Sequence, residues 1–185
     1  MDDAAAVAQA RAGDSEAFRL LVERYSRALF RLAYRMTGNE HDAEDVVQEA
    51  FLKAYRSLDR FEERSQVRSW LYRIAANCAF DVLRARQRRE SRLDSVDSDE
   101  SPELPADEPG PERLALGSDV RRRVDAALER MSPRERAAFV LRHFEGRSLK
   151  EIGHALDLDP NAVKQSVCRA VRKARLVLAP LAGGV

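Results

Sequence analysis

The 185-residue chain has room for one large or two small domains, and its 32 basic and 31 acidic residues leave a net charge of only +1. The balance hides an asymmetry: residues 1–90 carry 16 basic and 15 acidic side chains, residues 91–118 carry 2 and 8, and residues 119–185 carry 14 and 8, so the three stretches stand at +1, −6 and +6. Two cysteines without metal-ligand spacing, Cys78 and Cys168, argue against a disulfide scaffold or a zinc module and for reduced, structural thiols.

Apolar residues recur almost everywhere with a period of 3.6, and strand signals are nearly absent, so an all-α fold of two small helical domains is expected. Four helices are predicted before the acidic stretch. The first covers about Asp2–Arg11. Gly13 breaks it, and Asp14 caps a long second helix reaching about Met36. Gly38 and Asn39 close that helix and open a third, about Glu40–Leu58, with an apolar stripe at Ala43, Val46, Val47, Ala50, Phe51, Ala54 and Leu58. Asp45, Gln48, Glu49, Leu52 and Arg56 share the opposite face. Leu52 is apolar there, either as an ordinary exposed leucine or as an anchor for a partner helix. The carboxylates of Asp42, Asp45 and Glu49 have no matching ligands on a second helix, so no metal is expected.

The fourth predicted helix, about Gln66–Arg89, places Leu71, Ile74, Ala75, Cys78, Val82 and Leu83 on a core face. Trp70, Arg73, Asn77, Asp81 and Arg84 lie on the other. Aromatic, basic and amide side chains in this order suit single-stranded nucleic acid, but equally a half-buried Trp among solvated arginines. The Ser-, Asp-, Glu- and Pro-rich residues 91–111 cannot bury enough apolar surface to fold and read as a flexible linker between domains 1–90 and 112–180.

The most informative stretch follows, at Ser148–Arg175. Ser148 and Glu151 form a capping box, and Asp159-Pro160 starts a second helix, so the segment reads as a helix-turn-helix. Val163, Val167, Ala170, Val171 and Ala174 form the buried stripe. Asn161, Lys164, Gln165, Cys168, Arg169 and Arg172 fall on the other faces, where Asn, Gln and Arg match base edges and Lys and Arg bind phosphate. No run of about 18 apolar residues and no signal-peptide pattern is present, so a soluble, cytoplasmic protein without membrane insertion is expected.

Three of these stretches together resemble bacterial RNA polymerase sigma factors of the extracytoplasmic-function (ECF) group of the sigma-70 family. DAEDVVQEAFLKAYRSLDRF (Asp42–Phe61) is similar to that family's core-binding helix, VRSWLYRIAANCAFDVLRARQRR (Val67–Arg89) to its −10 recognition and melting helix, and the helix-turn-helix to its −35-reading domain. The resemblance implies a sigma-2-like domain, an acidic linker and a sigma-4-like domain, with promoter-specific transcription initiation as the function. It implies that Asp45, Gln48, Glu49 and Leu52 meet the clamp coiled coil of the polymerase's largest subunit. The loop from Phe61 through Arg64 and Ser65 to Arg68 would capture a flipped non-template base of the −10 element, with Asn77 lining the pocket and Trp70 and Arg73 beside it. Asn161, Lys164, Gln165, Ser166, Cys168, Arg169 and Arg172 would face duplex −35 DNA. An anti-sigma protein is a further implied class of partner. The chain departs from the common pattern at Glu63 and Val67 in the loop, at Asn161-Ala162 and Gln165-Ser166 in the recognition helix, and at Gly153 in the helix before it.

Two other classes compete. A stand-alone helix-turn-helix regulator explains the C-terminal domain but leaves the WLYRIA helix and the acidic linker without a task, and predicts a homodimer on palindromic half-sites. A helical enzyme such as a nuclease lacks a His/Asp/Glu constellation, a P-loop or a Gly-rich phosphate cradle, and neither catalysis nor a cofactor is expected.

Overall fold

The computed structural model describes residues 1–61, 66–93 and 113–182, and within them the chain is built from α-helices. Asp2 caps α1 (Asp3–Arg11) by accepting the Ala5 amide. Asp14 does the same for α2 (Ser15–Thr37), which ends where Gly38 turns left-handed at φ 71° and donates its N–H to the Tyr34 carbonyl at 2.8 Å. A side chain at Gly38 would strain that backbone. Asn39 caps α3 (Glu40–Arg56), and a single 3-10 turn follows at Leu58–Arg60. The third predicted helix therefore stops two residues early, because Ser57 closes it with a hydroxyl bond to the Lys53 carbonyl.

The fourth helix, α4 (Val67–Leu93), continues past its predicted end into the first residues assigned to the linker. The rest of that linker, with Arg64 and Ser65 of the loop, lies outside the described residues. Then come α5 (Arg113–Glu129), α6 (Pro133–His143), α7 (Leu149–Leu156) and α8 (Pro160–Ala182). Both capping boxes in this half are formed, Ser132 with Glu135 and Ser148 with Glu151. Asp159 accepts the Asn161 and Ala162 amides at 2.9 and 3.0 Å, starting α8 where the sequence places it.

Two helical units result. In the first, α2, α3 and α4 pack on one another around Leu21, Leu29, Leu32, Met36, Val46, Ala50, Leu71 and Ala75, with α1 against α2. In the second, α5, α6 and α7 surround α8 over Leu128, Ala138, Leu141, Ile152, Val163 and Ala170. Gly153 is required where α7 meets α8: a Cβ there would come within 2.9 Å of the Leu158 carbonyl oxygen and 3.6 Å of Val163 Cγ2. The helix propensity lost, about 1 kcal/mol, is the cost of that close approach.

The two units also touch. α4 packs against α7, and α2 against α6. The sequence reading gives α4 one buried stripe, but it has two. Ser69, Tyr72, Ala76 and Ala79, at helical spacing, are buried as well as Leu71, Ala75 and Cys78.

Candidate functional site

Three surfaces carry the predicted site residues. The first is an apolar groove of about 810 Å³ between α2 and α3. Phe18, Val22 and Phe30 form one wall, and Val47, Phe51, Leu52 and Tyr55 the other. Leu52 is 44% exposed and Tyr55 51%, an unusual amount of apolar surface for two neighbours on one helix face. Gln48 lines the groove with Leu52. Asp45 and Glu49 stand outside its lining, Asp45 3.9 Å from His41 and Glu49 3.6 Å from Lys53. Sequence reasoning found Leu52 but not Tyr55, which follows it by three residues on the same face. It also missed the α2 wall; the signal there is an apolar stripe wider than one packing partner needs.

The second surface is the start of α4. Arg11 reaches across from α1 and donates to the Leu58 and Phe61 carbonyls, fixing the approach to the loop. Phe61 is itself buried and packs against Trp70, ring centroids 4.9 Å apart and planes tilted by 53°. It supports the half-buried Trp70 instead of presenting a free face. Arg68 is exposed, with its guanidinium over the Tyr25 ring at 5.8 Å. Arg73 and Asn77 are exposed on the same face as Trp70. Arg73 lies 3.7 Å from Asp157, which ends α7 in a left-handed turn at φ 54°. On the buried side, Tyr72 donates its hydroxyl to Glu145 at 2.7 Å. Burial, reinforced by that carboxylate, holds the Tyr72 phenol well above its usual pKa. Cys78 is buried 3.6 Å from Lys53 Nζ; burial pushes its thiol up, and Lys53 offsets only part of the rise.

The third surface is α8. Val163, Ala170 and Ala174 are buried, Val167 and Val171 half-buried. Asn161, Lys164, Gln165, Cys168, Arg169 and Arg172 are exposed, and Ser166 is half-buried beside them. Arg169 Nη2 lies 3.5 Å from Gln165 Oε1, so two side chains with base-reading chemistry are already side by side. Lys173, next to Arg172, is half-buried and held by Glu135 at 2.6 Å. Among the described residues no cluster of three His, Cys, Asp or Glu is placed to hold a metal, and no helix is long and apolar enough to cross a membrane.

Residues 21–89 match the family described as Sigma-70 region 2, and residues 121–173 match Sigma-70, region 4. The first match contains α3 and most of α2 and α4; the second contains α6, α7 and the N-terminal part of α8. The chain is 36% identical to the ECF RNA polymerase sigma factor SigE of Mycolicibacterium smegmatis over 86% of its length and 60% of that protein's. It is 37% identical to the ECF RNA polymerase sigma-E factor of Escherichia coli K12, over 92% of this chain and 91% of that one. Among solved structures it superimposes on the sigma factor RpoE of Bartonella quintana, crystallised with the anti-sigma factor NepR, with a TM-score of 0.67 and 25% identity over 88% of this chain and 96% of that one. Two helical units that match sigma regions 2 and 4 in order, with near full-length identity to the E. coli factor, make this chain a member of the ECF group of sigma-70 factors, which direct RNA polymerase to promoters.

Proposed function

We propose that the three surfaces divide the work of promoter-specific initiation. The α2–α3 groove takes the clamp coiled coil of the polymerase's largest subunit, with Gln48 and Leu52 at its edge and Asp45 and Glu49 flanking it. The start of α4, with Trp70, Arg73 and Asn77 and the loop from Phe61 through Arg64 and Ser65 to Arg68, captures a flipped non-template base of the −10 element. The α8 face of Asn161, Lys164, Gln165, Ser166, Cys168, Arg169 and Arg172 reads duplex −35 DNA. The observation that carries this reading is the groove with its exposed Leu52 and Tyr55. A stand-alone regulator has no use for it, whereas a helical partner with apolar anchors fills it. Because a relative of this fold is bound by an anti-sigma factor, we extend that class of partner to this chain.

The test is reconstitution. The protein and core polymerase together are expected to open a promoter that neither opens alone, read as permanganate reactivity of −10 thymines. Asn77→Ala should lower that opening by about tenfold while duplex −35 contact persists, since the pocket must return part of an unstacking cost of a few kcal/mol. Asn77 is exposed, so its loss leaves the fold intact. Wild-type opening by Asn77→Ala removes this residue from the mechanism.

We also propose the domain limits 1–90 and 112–180, joined by the acidic segment, whose first residues, to Leu93, belong to α4. Limited proteolysis should cut first within 91–111 and leave two protected fragments. A first cut inside 66–84 counts against the division.

A further inference from the structure

α1 carries none of the residues assigned to polymerase or promoter, yet its last residue, Arg11, reaches the entrance to the −10 surface. The helix packs on the 3-10 turn at Leu58–Arg60, which leads directly into Phe61. Helix ends leave carbonyls without an intrahelical donor. Here the Leu58 carbonyl accepts the Phe61 amide at 3.1 Å and Arg11 Nε at 2.7 Å. Arg11 Nη2 donates to the Phe61 carbonyl. Both donors sit on one planar guanidinium with a fixed fork, so the two carbonyls are held in register with each other. Bonds from an ionised donor are also stronger than neutral ones. The same guanidinium stands 6.0 Å from the centre of the Phe61 ring. Phe61, 5% exposed, packs in turn on the half-buried Trp70. An unbroken run of contacts therefore leads from α1 to the aromatic side chain at the start of α4.

The exit side is tied to the same helix. The Arg68 guanidinium lies 5.8 Å over the Tyr25 ring, and Tyr25 donates its hydroxyl to Asp3, the first residue of α1. Phe61 and Arg68 are thus both referred to one rigid rod of nine residues, about 13 Å long. This matters because a surface already in place binds better than one that must be ordered during binding. Trp70, Arg73 and Asn77 need no such help, since α4 itself fixes them. Phe61 lies outside α4, and its place beside Trp70 depends on the turn that delivers it.

We propose that Arg11 is a positioning residue for −10 opening: by gripping the Leu58 and Phe61 carbonyls it holds Phe61 against Trp70, so that the capture surface is assembled before DNA arrives. The inference rests on the reading of the start of α4 as the −10 surface. Arg11 acts on the opening step alone. It is not part of the α2–α3 groove lining and sits on a different helix from the α8 face, so core binding and −35 contact lie outside its reach. Lysine is not an equivalent, because an ammonium is a point donor without the fork.

Trp70 is the only tryptophan in the chain, so intrinsic fluorescence of the free protein reports on this contact directly. Arg11→Met keeps an unbranched stem and removes the donors. It should shift Trp70 emission to the red and raise its quenching by acrylamide, with helix content unchanged. With core polymerase on a promoter, permanganate-reactive −10 thymines should appear about tenfold more slowly, the order expected from losing a hydrogen bond to a charged group. The affinity for core polymerase and the fraction of protein that binds it should stay at wild-type values. A merely structural Arg11 gives the opposite pattern: a smaller binding-competent fraction that opens DNA at the wild-type rate. Should Arg11→Met lose helix content, Arg11→Lys, which keeps the charge and the stem, decides on the same readouts. Slower opening with unaltered Trp70 fluorescence overturns the route through Phe61. A wild-type opening rate in Arg11→Met, where Asn77→Ala slows opening, overturns the positioning role while the −10 reading stands. If neither variant slows opening, the −10 reading itself fails and takes the role of Arg11 with it.

Discussion

Leu52→Asp combined with Gln48→Ala is expected to raise the dissociation constant for core RNA polymerase by about 30-fold, equivalent to about 2 kcal/mol. The size follows from what the groove offers. Leu52 and Tyr55 are the exposed apolar residues on its rim, and full burial of a leucine on docking is worth about 1.5–3 kcal/mol. An aspartate at position 52 forfeits that burial and brings a carboxylate to an apolar wall, where it must be desolvated without a partner. The fold should not notice. Both side chains are exposed, and the α3 core stripe of Ala43, Val46, Ala50 and Ala54 is untouched. Helix content and melting temperature should therefore stay at wild-type values while core affinity drops. A titration showing unchanged affinity retires the groove as the polymerase site.

The parts of this molecule that were legible in its sequence are those fixed by local chemistry. Asp14, Asn39, Ser148 and Asp159 each accept the backbone amides that their positions imply, because a cap is decided within three residues. Leu52 was legible as well, since a lone apolar residue on a charged face is visible from the helical period. What escaped depends on which helix lies against which. The stripe of α2 is wide enough for several neighbours, and only the placement of α3 determines that Phe18, Val22 and Phe30 stay partly open. The second buried face of α4 was hidden because Ala76 and Ala79 carry little hydrophobic signal and Tyr72 reads as amphipathic. Glu145 was hidden most deeply. It looks like an ordinary turn residue, and its partner Tyr72 is 73 positions away in the chain.

Replacing Gln165 or Arg169 by Ala is expected to change which −35 bases are preferred, at about 1–3 kcal/mol for each bidentate base pairing removed. Both project from the first half of α8, the end of a recognition helix that enters the major groove. Their side chains lie 3.5 Å apart, so they act on neighbouring bases or on the same one, and the double variant should lose less than the sum of the two. Arg172 lies later on the exposed face. Its replacement by Ala should weaken all sequences alike and flatten the salt dependence by roughly one phosphate's worth. Lys173 belongs to neither class, because its ammonium is held by Glu135; Lys173→Ala should disturb the α6–α8 packing and leave both base preference and salt slope near wild type. Selection from a randomised −35 library at two salt concentrations separates these effects. If Gln165→Ala and Arg169→Ala both select the wild-type sequence, this face of α8 does not read bases, and its arginines serve only to hold the phosphate backbone.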